Sequence, residues 1–253
     1  MDIPSVIFEN DDLIVLYKPK GLPTAPLKGQ QTDTLLDWVI DFHPEISSVK
    51  GKSDWEPGLL HRLDTPTSGL VLVARNQVAF DRLSDFQDRN FMVKTYIAEV
   101  EKSTPDLTFP PLPYQLEAAL RDGFPMRPFA IESYFRPFGV GRKSVRPCVR
   151  GSRNASHHYY RTEFRDFDGS QVKCLIKNGF RHQIRCHLSW LGYPIKGDGT
   201  YGIFDDALML ECTAISFPSL SSTGKIMRIN MDGSHEESED SEYMNRLYKE
   251  DKI

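Results

Sequence analysis

The sequence predicts an α+β fold, in which a mixed and mainly antiparallel sheet is flanked by helices and loops. Short apolar segments of strand length recur along the chain, and amphipathic helical segments separate some of them. The two kinds of segment do not alternate strictly, as they would in a parallel βαβ fold. With 253 residues, of which 40% are hydrophobic, the chain is long enough to bury a large core.

The first half of the chain contains three strand candidates and two helix candidates. Residues 13–17 form a short apolar run that ends in a Lys-Pro-Lys-Gly turn signal. Residues 34–42 have helical apolar spacing and end before a proline, which disfavours helix at the residue that precedes it. An apolar strand from Leu70 is followed by a helix over 77–87, and residues 92–100 alternate as a strand does.

The second half contains four further strand candidates and one helix candidate. We expect the strands over 134–137, 158–164, 171–176 and 207–217. A helix over 182–191 ends at a glycine with a proline just beyond it, which is a common end signal. Because no repeat and no linker precedes about residue 230, we predict one domain over 1–230.

An acidic tail is predicted beyond that domain, over residues 231–253. Residues 232–253 carry eight acidic side chains against three basic ones, and the rest of the chain is nearly neutral. We interpret the tail as a solvated segment that favours solubility. Competition with a ligand for a basic surface of the chain is the alternative.

A basic region with interleaved aromatic residues covers 121–165, where ten Lys or Arg face three acidic residues. The aromatic residues are Phe129, Tyr134, Phe135, Phe138, Tyr159 and Tyr160. This composition suits a polyanion with exposed bases, because phosphates take the charge and rings offer stacking surfaces. A solvated surface is the alternative. Residues 139–156, rich in Gly, Arg and Ser, are predicted to form a mobile insert.

Composition and motifs exclude several classes of protein. No apolar run has the length of a membrane span, and the amino terminus has no secretory or transit signal. The four cysteines are scattered without a C-x-x-C pair, which favours free thiols, a reducing compartment and no structural zinc. No P-loop or dinucleotide fingerprint is present. We therefore expect a cytoplasmic monomer without a metal or a cofactor.

The residues with the most informative chemistry lie near the predicted strands. Asp64 precedes the strand from Leu70, and a carboxylate at the start of a buried strand needs a partner. Tyr96 lies inside the strand over 92–100, and Arg185 lies on the first turn of the last helix. If the three converge, Arg185 can pair with Asp64 and keep it ionised. A turn cap, core packing and a surface ion pair are the respective alternatives.

Four segments resemble, in order, the signature blocks of the large-subunit-rRNA-type (RluA-like) pseudouridine synthase family. Residues 15–22 (VLYKPKGL) resemble the first block, and residues 61–70 (HRLDTPTSGL) resemble the block that holds the catalytic aspartate. Residues 94–96 (KTY) match the block with the active-site tyrosine. Residues 179–187 (GFRHQIRCH), continued over 192–202, resemble the last block.

The resemblance spans residues 8 to about 218 and implies a single catalytic domain around a central RNA-binding cleft. Some relatives carry a separate amino-terminal RNA-binding domain, and we expect none here. It implies isomerisation of uridine to pseudouridine in rRNA or tRNA. The bond from ribose C1′ to uracil N1 breaks, the base turns, and C5 bonds to C1′. Asp64 would act as nucleophile or as base, Arg185 would keep it ionised, and Tyr96 would stack beside the uracil.

The resemblance also implies contacts to the RNA and to the detached base. A uridine inside a stem must flip out, and Arg62 is expected to fill the vacated space or to hold the backbone. An internal salt bridge of Arg62 is the alternative. Lys18 and Arg181 are further expected RNA contacts. Ile184 and Leu210 are expected to line a dry pocket that retains the base.

Two sites depart from the family pattern. Phe180 stands where many relatives have an arginine after the glycine, so that Arg181 is shifted by one position. Glu211 and Cys212 stand where relatives often have His-Ala. Both departures concern the recognition of the substrate.

Two functions from other classes remain open. One is a catalytically inactive RNA-binding or ribosome-assembly protein on the same fold. The other is a hydrolase of nucleosides or glycosides, for which a second catalytic carboxylate beside Asp64 would be expected.

Overall fold

The computed structural model describes residues 3–26, 33–104, 108–202 and 207–239 and divides the chain into two compact units. The first unit comprises Met1–Lys94 together with Cys212–Ile253, and the second comprises Thr95–Glu211. No helix in the described part of the chain combines the length and the apolar composition that crossing a bilayer requires.

Strands and helices are both present in the described residues. The strands are β1 (Ser5–Glu9), β2 (Leu13–Lys18), β3 (Ser68–Ala74), β4 (Val93–Glu99), β5 (Phe129–Phe138), β6 (Ser144–Cys148), β7 (Tyr160–Arg165), β8 (Gln171–Ile176), β9 (Leu210–Pro218), β10 (Ile226–Asn230) and β11 (His235–Ser238). The helices are α1 (Leu35–Phe42), α2 (Gln77–Asp88), α3 (Tyr114–Ala119) and α4 (Gln183–Trp190). The predicted α+β class with mainly antiparallel pairing is confirmed.

The strands of the first unit are neighbours in the sheet. β1, β2, β3 and β9 lie side by side in that order, and β10 pairs with β9 and with β11. β2 and β3 run antiparallel, with Leu13 opposite Ala74 and Lys18 opposite Gly69. This register brings the turn that follows β2 beside the segment that leads into β3, and that segment carries Asp64.

The second unit has its own run of strands, in the order β4, β8, β7, β5 and β6. The pairs β7–β8, β5–β7 and β5–β6 are antiparallel. Every residue of α4 is buried, including Arg185 and His187. Because a buried helix with polar side chains must supply each of them with a partner, the contacts of α4 are informative about the site.

Both helices predicted in the first half begin at a side-chain cap. The Thr34 hydroxyl accepts a hydrogen bond from the Asp37 amide at 3.2 Å, and the Asp37 carboxylate accepts one from the Thr34 amide at 3.1 Å. Asn76 caps α2 by accepting from the Ala79 amide at 2.9 Å. These caps satisfy amides that have no partner inside the helix, which fixes where each helix starts.

Part of the segment predicted as a mobile insert, residues 139–156, forms a regular strand. Strand β6 lies in this segment and pairs with β5. Arg146 of β6 is buried, and its guanidinium lies 4.3 Å from the Phe109 ring centre and 4.5 Å from that of Phe138. A five-residue strand with an arginine and a proline at adjacent positions has a weak strand signal, so the sequence missed it.

The acidic segment predicted as a tail begins in regular structure. Strand β11 pairs with β10, with Arg228 opposite Glu236. The Ser219 and Ser221 hydroxyls donate to the Glu237 carboxylate at 2.5 and 3.0 Å. Glutamates and a histidine are unusual in strands, and this explains why the sequence did not indicate β11. The remainder of the predicted tail, from residue 240, lies outside the described residues.

Candidate active site

Asp64 lies in a short loop, residues 61–67, which we call the Asp64 loop. The loop follows the bridge between Leu59 and Val73 and leads directly into β3. The Asp64 carbonyl accepts a hydrogen bond from the Thr67 amide at 2.9 Å, which closes a tight turn, and Asp64 itself is half-buried. The turn keeps the carboxylate at the mouth of β3, where it remains accessible.

The residue before Asp64 is held by Thr24. The Thr24 hydroxyl donates to the Leu63 carbonyl at 2.8 Å and accepts from the Leu63 amide at 3.1 Å. Thr24 is buried, and its carbonyl accepts from the Leu36 amide at 3.0 Å, so the start of α1 fixes its position. The sequence analysis missed Thr24, although its place in the loop after the first signature block was a usable signal.

The residue after Asp64 is held by Lys18, and this corrects the expected role of Lys18 as an RNA contact. Lys18 is fully buried. Its Nζ donates to the carbonyl oxygens of Leu22 and Thr65 at 2.7 and 3.2 Å, and to that of Pro19 at 2.9 Å. A side chain enclosed in this way does not reach a phosphate. It instead ties the Asp64 loop to the turn after β2.

Lys18 also contributes charge beside the predicted catalytic carboxylate. Burial lowers the pKa of Lys18 to about 8, and the nearby negative charge of Asp64 opposes that decrease. The ammonium therefore keeps its proton at neutral pH and places a positive charge near the Asp64 carboxylate. Thr65 is fixed further by the Gly21 amide, which donates to its carbonyl at 2.9 Å.

Arg62 forms an internal ion pair, the alternative stated for it above. Its Nη1 lies 2.9 Å from Oε1 of Glu56, whose side chain is only 11% exposed, whereas the Arg62 side chain is 47% exposed. The guanidinium is thus anchored at one nitrogen and half open to solvent. This arrangement is compatible with a further contact on its exposed side.

Gly69, the second residue of β3, lies against the backbone of Cys212. A Cβ atom at Gly69 would lie 2.3 Å from the Cys212 carbonyl oxygen and 2.4 Å from its amide nitrogen, and the φ of Gly69 is +117°. Only glycine fits this approach. The contact uses the main chain of Cys212, so the departure from the family pattern at this residue leaves the packing of β3 on β9 intact.

Arg185 forms a two-point ion pair with Asp198, a partner that the sequence did not predict. Its Nε and Nη2 lie 2.7 Å from Oδ2 and Oδ1 of Asp198, and Nη2 also donates to the Thr200 hydroxyl at 3.1 Å. Both side chains are buried, at 6% and 0% exposure. Two parallel hydrogen bonds fix the plane of a guanidinium as well as its position.

The Asp198 carboxylate is itself fixed by backbone groups. Oδ1 accepts from the amides of Thr200 and Tyr201 at 3.0 and 3.2 Å. A carboxylate with charged and amide donors around it is well compensated for its burial. Asp198 therefore positions Arg185 rigidly from a turn 13 residues further along the chain.

The Arg185 guanidinium lies over the ring of Tyr201, and its central carbon is 5.4 Å from the ring centre. The Tyr201 hydroxyl accepts from the Val145 amide at 2.8 Å and lies 3.1 Å from His182 Nδ1. Burial raises the pKa of Tyr201, so the phenol stays neutral. His182, which precedes α4 in a left-handed conformation, thus has a structural contact.

Three further predicted site residues are buried in the second unit. Tyr96 is 5% exposed on β4, Ile184 is 5% exposed on α4 and Leu210 is 4% exposed on β9. Their burial is compatible with the predicted pocket walls. Tyr96 and Arg185 belong to the second unit and Asp64 to the first, so the pairing of Arg185 with Asp64 stays a prediction.

The two residues of the altered last block have different environments. Arg181 is exposed, and its Nη2 donates to the carbonyl oxygens of Arg142 and Ser144 at 2.6 and 3.2 Å. Phe180 stacks on Phe135 with ring centres 5.1 Å apart and planes 5° apart. Phe180 thus fills a hydrophobic cluster, while Arg181 holds the start of β6. Among the described residues, no three His, Cys, Asp or Glu side chains are grouped as a metal site would need.

Comparison with known proteins agrees with these motifs. The family model of RNA pseudouridylate synthase matches residues 12–190. The uncharacterized RNA pseudouridine synthase YlyB of Bacillus subtilis is 29% identical over 205 residues, which cover 80% of this chain and 58% of that protein. Ribosomal large subunit pseudouridine synthase D of Pseudomonas aeruginosa is 28% identical over 197 residues, covering 78% of this chain and 53% of that protein. The chain thus spans little more than half the length of these relatives.

Solved structures share the fold. Human RNA pseudouridylate synthase domain containing 1 superposes with a TM-score of 0.61 at 18% identity, covering 98% of this chain and 94% of that one. Human RNA pseudouridylate synthase domain containing 4 gives a TM-score of 0.59 at 18% identity, covering 96% and 92%. At this identity the likeness concerns the fold alone.

Proposed function

Because this chain belongs to the RNA pseudouridylate synthase family, we propose that it isomerises uridine to pseudouridine within an RNA chain. The observation that carries the proposal is the Asp64 loop, in which Leu63 is held by Thr24 and Thr65 by Lys18. A loop fixed on both sides of one half-buried carboxylate is the preorganisation that catalysis requires. Names of relatives such as ribosomal large subunit pseudouridine synthase D favour rRNA as the first target to examine, with tRNA second.

The proposed reaction begins at the anomeric carbon. The bond from ribose C1′ to uracil N1 breaks, the base turns, C5 bonds to C1′, and the proton on C5 is replaced by one on N1. Atoms are conserved, so the step needs no oxidant and no group donor. Asp64 acts as nucleophile or as base at the ribose, as a carboxylate does at the anomeric centre in glycosidases.

Arg185 and Tyr96 complete the proposed site. Asp198 binds the Nε and Nη2 edge of the Arg185 guanidinium, which fixes the direction of Nη1. We propose that Asp64 pairs with Arg185, as the opposite charges of the two side chains favour. Tyr96 then stacks beside the detached uracil, and Ile184 and Leu210 exclude water from the base.

RNA contacts are proposed for two arginines and for the basic region 121–165. Flipping a uridine out of a stem costs a few kcal/mol. Arg62, with its exposed side, can fill the vacated space, and Arg181 can hold the backbone. Lys18 has no part in these contacts, because it is enclosed beneath the Asp64 loop.

At the level of the whole chain, we propose that residues 1–230 work as one catalytic domain, to which strand β11 adds residues of the segment predicted as an acidic tail. The four cysteines are free thiols, which supports a reducing compartment such as the cytoplasm. The proposed chemistry needs neither metal nor cofactor, and we propose a monomer as the active form.

The test is a transcriptome-wide map of pseudouridine in cells that carry the wild type, Asp64→Asn or a deletion. We expect at least one pseudouridine that is present with the wild type and absent with the other two. Asp11→Asn is the matched control, because Asp11 is an exposed aspartate of the same unit, and it should keep the modification.

The same experiment separates the other functions. Identical maps in all strains would overturn the proposal. If the purified chain then binds RNA without changing it, it is an inactive RNA-binding protein. Release of free uracil from RNA would instead indicate a hydrolase.

A further inference from the structure

One surface of the second unit combines an exposed and a half-buried tyrosine with arginines that are not part of the proposed site. In β5 the residues Ile131, Ser133 and Phe135 are buried, and the residues between them face outward. Tyr134 lies on this outer side, directly opposite Cys148 of β6. We call the surface formed by Tyr134, Arg136, Cys148 and Tyr159 the tyrosine face.

The two tyrosines of this face form a pair of rings. The ring centres of Tyr134 and Tyr159 lie 5.0 Å apart, with planes tilted by 48°. Tyr159 is 55% exposed, so much of its ring is in contact with water. Exposed aromatic rings on a sheet are a platform on which a planar ligand can stack.

The charge around the tyrosine face is positive. Arg136 lies two residues beyond Tyr134 on the same side of β5, and its guanidinium lies 5.8 Å from the centre of the Phe138 ring. Glu132, the acidic residue nearest along the strand, is neutralised by Arg161 at 2.6 Å. Arg150 and Arg153 are exposed on the connection between β6 and β7. These charges complement a phosphate backbone.

We propose that the tyrosine face binds an unpaired nucleotide of the RNA substrate other than the uridine that reacts. One base stacks on Tyr159 and Tyr134, and Arg136 lies where it can contact the adjoining phosphate. This proposal rests on the proposed function, since it takes RNA as the substrate. It limits the expected stacking contacts of the basic region 121–165 to a few residues. Phe129 packs against Phe164 and Phe135 against Phe180 inside the unit, so these rings do not offer a surface to RNA.

The test compares two probes that differ only in their bases. One is a fluorescent 15-nucleotide oligoadenylate RNA, and the other is an abasic ribose-phosphate chain of the same length. We expect the wild type to bind the oligoadenylate more tightly, and Tyr159→Ala or Tyr134→Ala to weaken that binding roughly 5- to 150-fold, which corresponds to the loss of one base stack. Binding of the abasic chain should stay unchanged.

Three control variants make the test specific. Tyr159→Phe and Tyr134→Phe keep the ring and should bind the oligoadenylate as the wild type does. Tyr114→Ala removes a tyrosine that is 74% exposed on α3, in the same unit but outside the tyrosine face, and should change nothing. A 2-aminopurine base in the probe should lose fluorescence on the wild type and keep it on Tyr159→Ala, because stacking quenches it.

The outcomes separate this proposal from the proposed function. If both alanine variants bind oligoadenylate like the wild type, the tyrosine face is not an RNA contact and would serve a protein partner instead. That result leaves an Asp64-dependent pseudouridine map untouched. If the alanine variants lose binding while no pseudouridine depends on the chain, the proposed function fails and the tyrosine face stands as an RNA contact.

Discussion

At the scale of single residues, the Asp64 loop depends on one buried ammonium group. Lys18 binds three carbonyl oxygens, one of them beside Asp64, and it brings a positive charge near the Asp64 carboxylate. The same side chain thus supplies both structure and charge. Its contribution to activity should exceed its contribution to stability, since burying an ammonium costs free energy that its hydrogen bonds only partly offset.

Lys18→Met is expected to lower the rate of pseudouridine formation by at least about tenfold, while changing the free energy of unfolding by no more than about 1–3 kcal/mol. The wild-type rate should also fall above pH 8, where Lys18 loses its proton, and the variant should lack this decline. Rates at pH 7 to 9.5 and denaturant unfolding measure the two effects. Lys20→Met, at an exposed neighbour, is the control. Equal rates for both variants would contradict the prediction.

Asp198 is a second residue that should affect the reaction indirectly, in this case through Arg185. Asp198→Asn keeps an oxygen for the amides of Thr200 and Tyr201 but removes the negative charge that Asp198 places against the buried Arg185. We expect a loss of about 3–5 kcal/mol of stability, as for other broken buried pairs. Where the protein is still folded, kcat should fall with little change in KM for RNA, since Asp198 positions Arg185 and is itself buried.

Steady-state kinetics at a temperature where the variant is fully folded will measure kcat and KM separately. Asp122→Asn, an exposed aspartate in the same unit, should leave both constants unchanged. An increase in KM alone would show that Asp198 acts in RNA binding and not through Arg185.

At the scale of secondary-structure elements, the packing of β3 on β9 depends on a glycine. Gly69→Ala would place a methyl group 2.3 Å from the Cys212 carbonyl oxygen, at a φ of +117°. Gly169 is a matched control, because its φ is +107° and nothing lies within 4 Å of an added Cβ. Gly169→Ala should therefore cost about 1–3 kcal/mol from backbone strain alone.

Gly69→Ala should lower the free energy of unfolding by clearly more than Gly169→Ala does, because β3 or β9 must also move. Thermal unfolding of the two variants side by side measures the difference. Equal melting temperatures would show that β9 can shift away from residue 69 at little cost in free energy.

The local sequence pattern of each element explains whether it could be predicted. Helices α1 and α2 were predicted because their apolar residues have helical spacing, and the buried strands β2 and β3 because they are almost wholly apolar. Strand β6 was missed because its pairing with β5 depends on long-range packing of Arg146 between aromatic rings. Strand β11 was missed because four polar residues carry no strand pattern.

At the scale of the whole molecule, each unit contains a buried histidine that is held neutral. In the second unit, burial lowers the pKa of His187 to about 3. Gln183 donates to the Thr162 hydroxyl, the hydroxyl can donate to Nδ1 of His187, and Nε2 can donate to Ser133. In the first unit, burial and the charges of Lys94 and Lys52 lower the pKa of His61.

These histidines predict a loss of stability in acid. The unfolded chain binds a proton at each histidine near pH 6.5 and the folded chain does not, so stability is full above pH 6.5 and falls toward pH 3. One such group changes the unfolding free energy by up to about 1.4 kcal/mol per pH unit. His187→Gln should flatten the dependence measured by urea unfolding between pH 6.5 and 4. An unchanged slope would show that His187 is protonated in the fold.

The residues proposed to react could be named from the sequence, and the residues that support them could not. Asp64, Tyr96 and Arg185 stand in recognisable motifs, so the sequence alone is enough to propose them, and their roles stay predictions. Lys18 was misassigned because a lysine at a strand end is usually exposed, and only the register of β2 with β3 encloses it. The pair of Arg185 with Asp198 depends on the turn that follows α4, and no periodicity in the sequence encodes such a turn.

The register that places Cys148 opposite Tyr134 also offers a site for chemical labelling. Cys174, Cys186 and Cys212 are buried, whereas Cys148 is half-buried. Burial raises the pKa of the Cys148 thiol, so a maleimide dye should react with it slowly at neutral pH and faster in mild alkali. The native sequence therefore carries a single accessible attachment point, and a dye placed there would report occupancy of the tyrosine face without any cysteine having to be introduced or removed.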